Sequence, residues 1–213
     1  MSMQLIIFDL DGTLVDSSTD ITNALNYALT SSGFKPLAVS DTVKIIGEGI
    51  TRLIEQVTGD VDISTKNDVM KRFLEHYEKH ILDYTREYLG VRETLGEIKR
   101  YKKAVISNKK ESLSRMVLDG LKLSKYFDMI VGSDTTHERK PSPVPILKVL
   151  SDLHVPPGET VMVGDSDFDI DAGKAAGVHT VAVTYGYRPR EVIAHADHII
   201  DRMTDLIPLL ESM

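Results

Sequence analysis

The stretch LIIFDLDGT, residues 5–13, decides the fold of this protein. It begins with a short apolar run, as a strand buried on both faces does, and it places Asp9 and Asp11 where that strand ends. Residues two apart in an extended chain point to the same side, so both carboxylates face one way. Carboxylates held this close repel each other unless a cation or a proton lies between them. The stretch therefore predicts the first strand of a parallel sheet with an ionic site at its carboxyl end.

Similar apolar runs recur along the chain and alternate with helical patterns. We expect buried strands at residues 5–10, 104–106, 129–131, 160–163 and 180–183. Amphipathic segments at residues 111–118, 145–153 and 168–176 lie between the later strands. This alternation predicts an α/β fold, a doubly wound parallel sheet with helices on both faces.

The connection between the first two predicted strands is much longer than the dozen or so residues that a crossover needs. Almost no strand pattern occurs in it, and we expect helices at residues 21–31, 42–46, 50–57 and 65–84. A further helix at residues 91–101 returns the chain to the sheet. The sequence therefore predicts a small all-helical domain, residues 16–82, inserted into an α/β core domain formed by residues 1–15 and 83–213.

Composition excludes several classes of function. The chain has 25 lysines and arginines against 32 aspartates and glutamates, a formal charge of −7, and no cysteine. It therefore has no disulfides, thiolate metal sites or thiol catalysis. An acidic chain without a basic run is not typical of proteins that bind nucleic acid or anionic membrane. No signal-peptide pattern or membrane-spanning run is visible, so we expect a cytoplasmic protein.

Candidate site residues follow each of the first four predicted strands in turn. Ser107 and Asn108 follow the second strand, Lys140 comes after the third, and the segment GDSDFD, residues 164–169, ends the fourth. In open parallel sheets the ligand site lies at the carboxyl ends of the strands, where the strand order reverses. If the first and fourth strands flank that reversal, Asp165 and Asp169 join the two aspartates of the first strand. Oxygen ligands of high charge suit Mg²⁺ beside a phosphate group.

These motifs, in this order, resemble those of the haloacid dehalogenase (HAD) superfamily. The resembling residues are DLDGT at residues 9–13, Ser107, Lys140, and Gly164-Asp165 with Asp169. The resemblance covers essentially the whole chain, and the helical insertion resembles the small cap of that superfamily. It implies a HAD-like Rossmannoid core and a Mg²⁺-dependent phosphomonoester hydrolase that forms an aspartyl-phosphate intermediate.

The resemblance also implies a role for each motif residue. The implied catalytic residues are Asp9, Asp11, Ser107 and Lys140, the implied metal ligands are Asp9, Asp11, Asp165 and Asp169, and Thr13 and Asn108 are implied to bind substrate. Asp9 attacks phosphorus, and Asp11 protonates the leaving group and then activates water. Asp11 gives the metal its backbone carbonyl, while Asp169 supports the other ligands. Lys140 and the metal neutralise the phosphoryl oxygens.

A looser resemblance points to the phosphoglycolate phosphatase-like subgroup. It rests on TYGY at residues 184–187 and on the segment 77–91, although Leu89 stands where the subgroup usually has proline. The implied substrate is a small phosphorylated metabolite that carries a carboxylate. In the cap, Gly47, Glu48 and Gly49 precede a predicted helix that contains Arg52, and we expect this segment to bind the carboxylate, provided that Glu48 turns outward.

Alternative functions share this chemistry. A phosphosugar phosphatase, a pyrophosphatase and a β-phosphoglucomutase-like phosphotransferase differ only in the phosphoryl donor or acceptor. A receiver-like signalling module is a distant alternative, because such modules are shorter and carry the phosphorylated aspartate after an internal strand. Asp11 favours phosphoryl chemistry over dehalogenation. The sequence leaves the physiological substrate open, and it leaves open whether the protein is a monomer or a homodimer.

Overall fold

The computed structural model describes residues 3–213, which form two compact units. The α/β unit comprises the residues up to Asp16 together with Glu87–Met213, and the helical unit is Ser17–Arg86. The helical unit is therefore inserted between two parts of the α/β unit. Among the described residues, none of the helices combines the length and apolar character that crossing a bilayer requires.

The α/β unit is built on one parallel sheet. The strands, numbered along the chain, are β1 (Leu5–Phe8), β2 (Val15–Asp16), β3 (Arg86–Glu87), β4 (Lys102–Ile106), β5 (Met129–Val131), β6 (Thr160–Gly164), β7 (His179–Val183) and β8 (His198–Ile200). Six of them form the main sheet in the order β5-β4-β1-β6-β7-β8, and every neighbouring pair in it is parallel. The predicted fold class is confirmed. The sequence patterns did not reveal β8, a three-residue strand that begins with a histidine and has a single buried side chain.

The helical unit contains four helices. They are α1 (Ser18–Ser31), α2 (Val39–Ile45), α3 (Ile50–Thr58) and α4 (Ile63–His80). The expectation that the last of them continues to residue 84 is wrong. The buried carboxylate of Asp20 accepts hydrogen bonds from the backbone N–H groups of Tyr84 and Thr85, and from the Thr85 hydroxyl. These bonds hold residues 84 and 85 in a non-helical conformation against α1.

Among its described residues, the α/β unit has five α-helices. They are α5 (Val91–Glu97), α6 (Glu111–Gly120), α7 (Val144–Leu153), α8 (Asp167–Ala176) and α9 (Leu206–Ser212). One apolar core cluster joins Leu5 and Ile7 of β1 with Ile146 and Val149 of α7. The strand β1 has no exposed side chain, because it lies at the centre of the sheet. Burial of each such side chain stabilises the fold by about 1.5–3 kcal/mol. Because β1 lies between β4 and β6, the residues that follow it begin at the middle of the carboxyl edge of the sheet.

The helix α5 ends earlier than the sequence pattern predicts, at Glu97 rather than residue 101. The ammonium of Lys103, a buried residue of β4, donates hydrogen bonds to the carbonyl oxygens of Ile98 (3.0 Å) and Tyr101 (2.7 Å). Burial lowers the pKa of Lys103, and Asp128 opposes this effect. The ammonium thus binds carbonyl groups left unpaired where the helix ends, which fixes the entry of the chain into β4.

We predict that Lys103→Met lowers the free energy of unfolding by about 1–3 kcal/mol, because it leaves two carbonyl groups without their donor. Urea unfolding followed by circular dichroism measures the loss. The matched control is Lys99→Met, which alters an exposed lysine in the same connection and should change the stability by less than about 0.5 kcal/mol. Equal stability of the two variants would show that the Lys103 hydrogen bonds contribute nothing net.

Candidate active site

The strand order reverses between β1 and β6, which lie side by side in the sheet. The chain adds β4 and β5 on one side of β1 and then crosses to place β6, β7 and β8 on the other side. This is the arrangement that the sequence analysis required for its aspartates to converge. Asp9 follows β1 directly and Asp165 follows β6 directly, so both lie at the switch point.

A cluster of three buried carboxylates occupies this position. Oxygen atoms of Asp9, Asp165 and Asp169 all lie within 4.8 Å of one another, and the three residues are 9%, 2% and 1% exposed. Burial raises the pKa of the Asp9 carboxyl well above its usual range, and the neighbouring Asp169 raises it further. Burial and Asp169 also raise the pKa of Asp165, to about 7. The cluster therefore concentrates more negative charge than its surroundings readily stabilise.

Lys140 supplies a cation to this cluster. Its ammonium lies 2.8 Å from Oδ1 of Asp9 and 2.5 Å from Oδ1 of Asp169, and it donates a hydrogen bond to the carbonyl oxygen of Ile106 at 2.8 Å. Burial lowers the pKa of Lys140, but the carboxylates of Asp169 and Asp9 together outweigh that effect, and the net shift is upward. The ammonium is therefore a fixed positive charge beside Asp9.

The donor set of the cluster fits a hard divalent cation. Asp165 has both carboxylate oxygens fixed: Oδ1 accepts from the Thr13 hydroxyl (3.1 Å) and Oδ2 accepts from the backbone N–H of Tyr187 (2.7 Å). Asp169 accepts from the backbone N–H and the hydroxyl of Ser166, which caps α8. The cluster has three carboxylates and one ammonium, which contacts two of them, so it can retain negative charge, and carboxylate oxygens are the ligands that Mg²⁺ prefers.

Glycines make room for these carboxylates. A Cβ atom on Gly186 would lie 2.2 Å from Cβ of Asp165, and one on Gly164 would lie 2.3 Å from Cβ of Asp169. Gly12 has φ +89°, and a Cβ there would lie 2.4 Å from Oδ2 of Asp165. Gly186 was not among the predicted site residues. Its place between two tyrosines after a buried strand was the available signal, since a glycine there suggests a close approach of chain segments.

The loop after β4 brings Ser107 and Asn108 to the segment that carries Lys140. Both residues are buried, and the side-chain amide of Asn108 donates to the carbonyl oxygen of Lys140 at 2.9 Å. The backbone N–H of Ser107 donates to Val131 of the neighbouring strand at 3.0 Å. The structure thus brings these two predicted residues together with the predicted lysine, as the order of motifs along the chain indicated.

The carboxylate of Asp11 lies outside the three-carboxylate cluster. It forms an ion pair with the ammonium of Lys109, with 2.6 Å between Nζ and Oδ1, and both side chains are largely buried. Lys109 was not among the predicted site residues, although its place directly after Ser107 and Asn108 was a usable signal. The resemblance assigned only the backbone carbonyl of Asp11 to the metal, so this position of the side chain does not conflict with that assignment.

The four predicted carboxylate-binding residues lie in the helical unit. Gly47 and Gly49 adopt positive φ values of 123° and 83°, and Gly49 directly precedes α3. The guanidinium of Arg52 lies 3.0 Å from Glu55 and 3.9 Å from Glu48, while Gln56 also donates to Glu48. Arg52 is well exposed and engaged by carboxylates of its own helix and loop. Its contact with a substrate remains a prediction.

Comparisons with known proteins agree with this geometry. The family model described as haloacid dehalogenase-like hydrolase matches residues 6–183. The chain is 41% identical to phosphoglycolate phosphatase of Aquifex aeolicus, over 99% of this chain and 98% of that protein. It is 35% identical to phosphoglycolate phosphatase of Chromobacterium violaceum, over 99% and 97% of the two chains.

A solved structure extends the similarity to the fold. The crystal structure of a predicted phosphoglycolate phosphatase from Haemophilus somnus superposes with a TM-score of 0.92 at 28% identity, and the match covers 98% of each chain. The match of the family model includes β1 from Ile6 onward, together with β4, β5, β6 and β7. The superfamily inferred from the motifs is therefore confirmed, and the chain belongs to the haloacid dehalogenase-like hydrolase family.

Proposed function

We propose that the protein is a Mg²⁺-dependent phosphomonoester hydrolase that acts on a small metabolite, 2-phosphoglycolate, through an aspartyl-phosphate intermediate. The observation that carries this proposal is the buried Asp9 carboxylate at the strand switch point, fixed by Lys140 beside Asp165 and Asp169. Relatives named phosphoglycolate phosphatase that match nearly the whole chain support the choice of substrate. We further propose that the enzyme works in the cytoplasm.

In the first half of the proposed reaction, an oxygen of Asp9 attacks the phosphorus atom. The bond between phosphorus and the alkoxide oxygen breaks, and that oxygen takes a proton from the carboxyl group of Asp11. Lys140 stabilises the charge on the phosphoryl oxygens, because its ammonium already lies beside the attacking carboxylate. Ser107 and Asn108, in the loop joined to the Lys140 segment, orient the phosphoryl group.

In the second half, a water molecule attacks the phosphorus of the aspartyl-phosphate. Asp11 accepts a proton from this water, the bond between phosphorus and the Asp9 oxygen breaks, and the Asp9 carboxylate and inorganic phosphate are released. Asp11 thus returns to its protonated form for the next turnover. The two half-reactions place different demands on Asp11, which acts as an acid in one and as a base in the other.

The Mg²⁺ ion would be held by Asp9, the backbone carbonyl of Asp11, and Asp165. Asp169 would keep Lys140 in place, and Thr13 would keep Asp165 in place. When bound, the ion supplies positive charge that allows an anionic carboxylate to approach an anionic phosphate group. The buried negative charge of the cluster is the feature of this chain that calls for such an ion.

We predict that Asp9→Asn lowers Mg²⁺-dependent phosphate release by at least about a thousandfold, because the variant keeps the shape of the side chain but removes the nucleophile. Release of inorganic phosphate from 2-phosphoglycolate measures the effect. Removal of Mg²⁺ from the wild-type enzyme by chelation, followed by its return, provides the control for metal dependence. Retention of more than about a tenth of wild-type turnover would show that Asp9 is not the nucleophile.

We predict a loss in Asp11→Asn that depends on the leaving group. For an alkyl phosphate, kcat/KM should fall by about 10²–10⁴-fold, because the alkoxide must be protonated as it leaves. For p-nitrophenyl phosphate, whose leaving group needs no proton, kcat/KM should fall by less than about tenfold, and phosphoenzyme should accumulate. Mass spectrometry of the quenched enzyme measures the accumulation. Wild-type activity of this variant on alkyl phosphates would contradict the acid–base role of Asp11.

We predict that the enzyme prefers 2-phosphoglycolate to uncharged alkyl phosphates of equal size, because a cationic group recognises the carboxylate. Arg52→Ala should raise KM for 2-phosphoglycolate by about tenfold or more, which corresponds to the loss of one hydrogen bond to a charged group, and should leave kcat nearly unchanged. The matched control is Arg72→Ala, which removes an exposed arginine of α4 that pairs with Asp68 in the same unit.

A screen of phosphomonoesters decides the substrate. If neutral sugar phosphates or pyrophosphate exceed 2-phosphoglycolate in kcat/KM by about tenfold, the substrate named for the relatives does not apply here, and only the general hydrolase function stands. Transfer of the phosphoryl group to a sugar hydroxyl in the same screen would indicate a phosphotransferase instead.

A further inference from the structure

Lys109, which forms an ion pair with Asp11, is the second lysine of the site, and the proposed reaction assigns it no part. The two charged atoms are 2.6 Å apart, a separation typical of a charge-assisted hydrogen bond. The Lys109 side chain is only 8% exposed and that of Asp11 only 11%. Water therefore screens this pair little, and its geometry is held more strictly than that of the exposed pairs on the surface.

Lys109 extends from a backbone that is fixed on several sides. Its N–H donates to the hydroxyl oxygen of Ser107 at 3.2 Å, and its carbonyl oxygen accepts from the N–H of Ser133 at 2.9 Å. Two residues after Lys109, the backbone nitrogen of Glu111 would lie only 2.0 Å from a Cβ atom on Gly132. The segment that contains Lys109 therefore packs directly against the segment that contains Gly132. Hydrogen bonds and close packing therefore hold the loop that carries the Lys109 ammonium.

Asp11 needs such a partner because of its surroundings. It lies two residues from Asp9 and next to Gly12, whose left-handed conformation turns the chain toward Asp165. Without a cation, the Asp11 carboxylate would be repelled by the cluster of Asp9, Asp165 and Asp169 and would take several rotamers. The ammonium of Lys109 balances its charge and selects one orientation. Lys140 does the same for Asp9, so each of the two carboxylates of the first motif has its own lysine.

We propose that Lys109 is a positioning residue that orients the Asp11 carboxylate for its proton transfers. This inference rests on the proposed function, because it assumes that Asp11 is the acid and base of the phosphatase reaction. Lys109 acts through Asp11, whereas Lys140 acts on the phosphoryl group itself. The two roles are distinguishable, because a proton donor matters only when the leaving group needs a proton, and a phosphoryl contact matters for every substrate.

The experiment compares two substrates in Lys109→Met, which keeps the length of the side chain and removes its charge. We expect kcat/KM for 2-phosphoglycolate to fall by about 10- to 100-fold, and kcat/KM for p-nitrophenyl phosphate to fall by less than about threefold. Lys109→Arg, which restores a cation, should recover most of the loss. In an Asp11→Asn background, Lys109→Met should lower kcat/KM for 2-phosphoglycolate by less than about a further threefold, because the partner that it orients is already inactive.

The matched control is Lys110→Met, which alters the next lysine of the same loop. Lys110 directly precedes α6, and its side chain makes no capping hydrogen bond there, so both substrates should keep wild-type kcat/KM. Thermal unfolding of every variant separates loss of orientation from loss of fold. If Lys109→Met does not fold, Lys109→Gln and Lys109→Arg provide the same comparison of substrates.

Two results would overturn the proposal. An equal loss on both substrates would mean that Lys109 contacts the phosphoryl group or supports the fold as a whole, and no loss on either would mean that the ion pair does not guide Asp11. Failure of the proposed function itself gives a different result, in which the wild-type enzyme releases no phosphate or Asp9→Asn retains activity. That result would also remove the basis for a positioning role of Lys109.

Discussion

The contact of one buried ammonium with two buried carboxylates is the constraint on which the site depends. Lys140 joins Asp9, at the end of β1, to Asp169, in the first turn of α8, and its third bond goes to the last residue of β4. Removal of one partner from a buried pair costs about 3–5 kcal/mol, because the other charge is left without compensation. The sheet must therefore bring β1, β4 and β6 together in this register for the charges to be tolerated.

Asp169 shows how closely the fold and the site are coupled. The same carboxylate caps α8 through two hydrogen bonds from Ser166 and pairs with Lys140. A carboxylate in the first turn of a helix is also stabilised by the helix dipole. Its close contact with Gly164 leaves no space for any larger residue at that position. Stability of the helix and orientation of the lysine consequently depend on a single side chain.

The two lysines of the site pair with different carboxylates. Lys140 lies inside the carboxylate cluster, and Lys109 holds Asp11 apart from it. The proposed chemistry uses the two carboxylates differently, because Asp9 attacks phosphorus while Asp11 first gives and then takes a proton. One motif supplies both aspartates only two residues apart, and different partners then give them different environments. A divalent cation at the cluster would complete this distribution of charge.

The sequence by itself determined the parallel sheet, five of its six strands and the convergence of Asp9, Lys140 and Asp165, because buried parallel strands are short apolar runs and their carboxyl ends share one edge. It did not determine that α4 ends at His80 and α5 at Glu97. Asp20 and Lys103 stop these helices through hydrogen bonds to chain segments that local sequence patterns do not reveal. Only the tertiary structure decided that Asp11 pairs with Lys109 and that Gly186 borders Asp165. Those contacts join residues far apart in the chain, and their geometry depends on the packing of whole elements rather than on any local preference of the sequence.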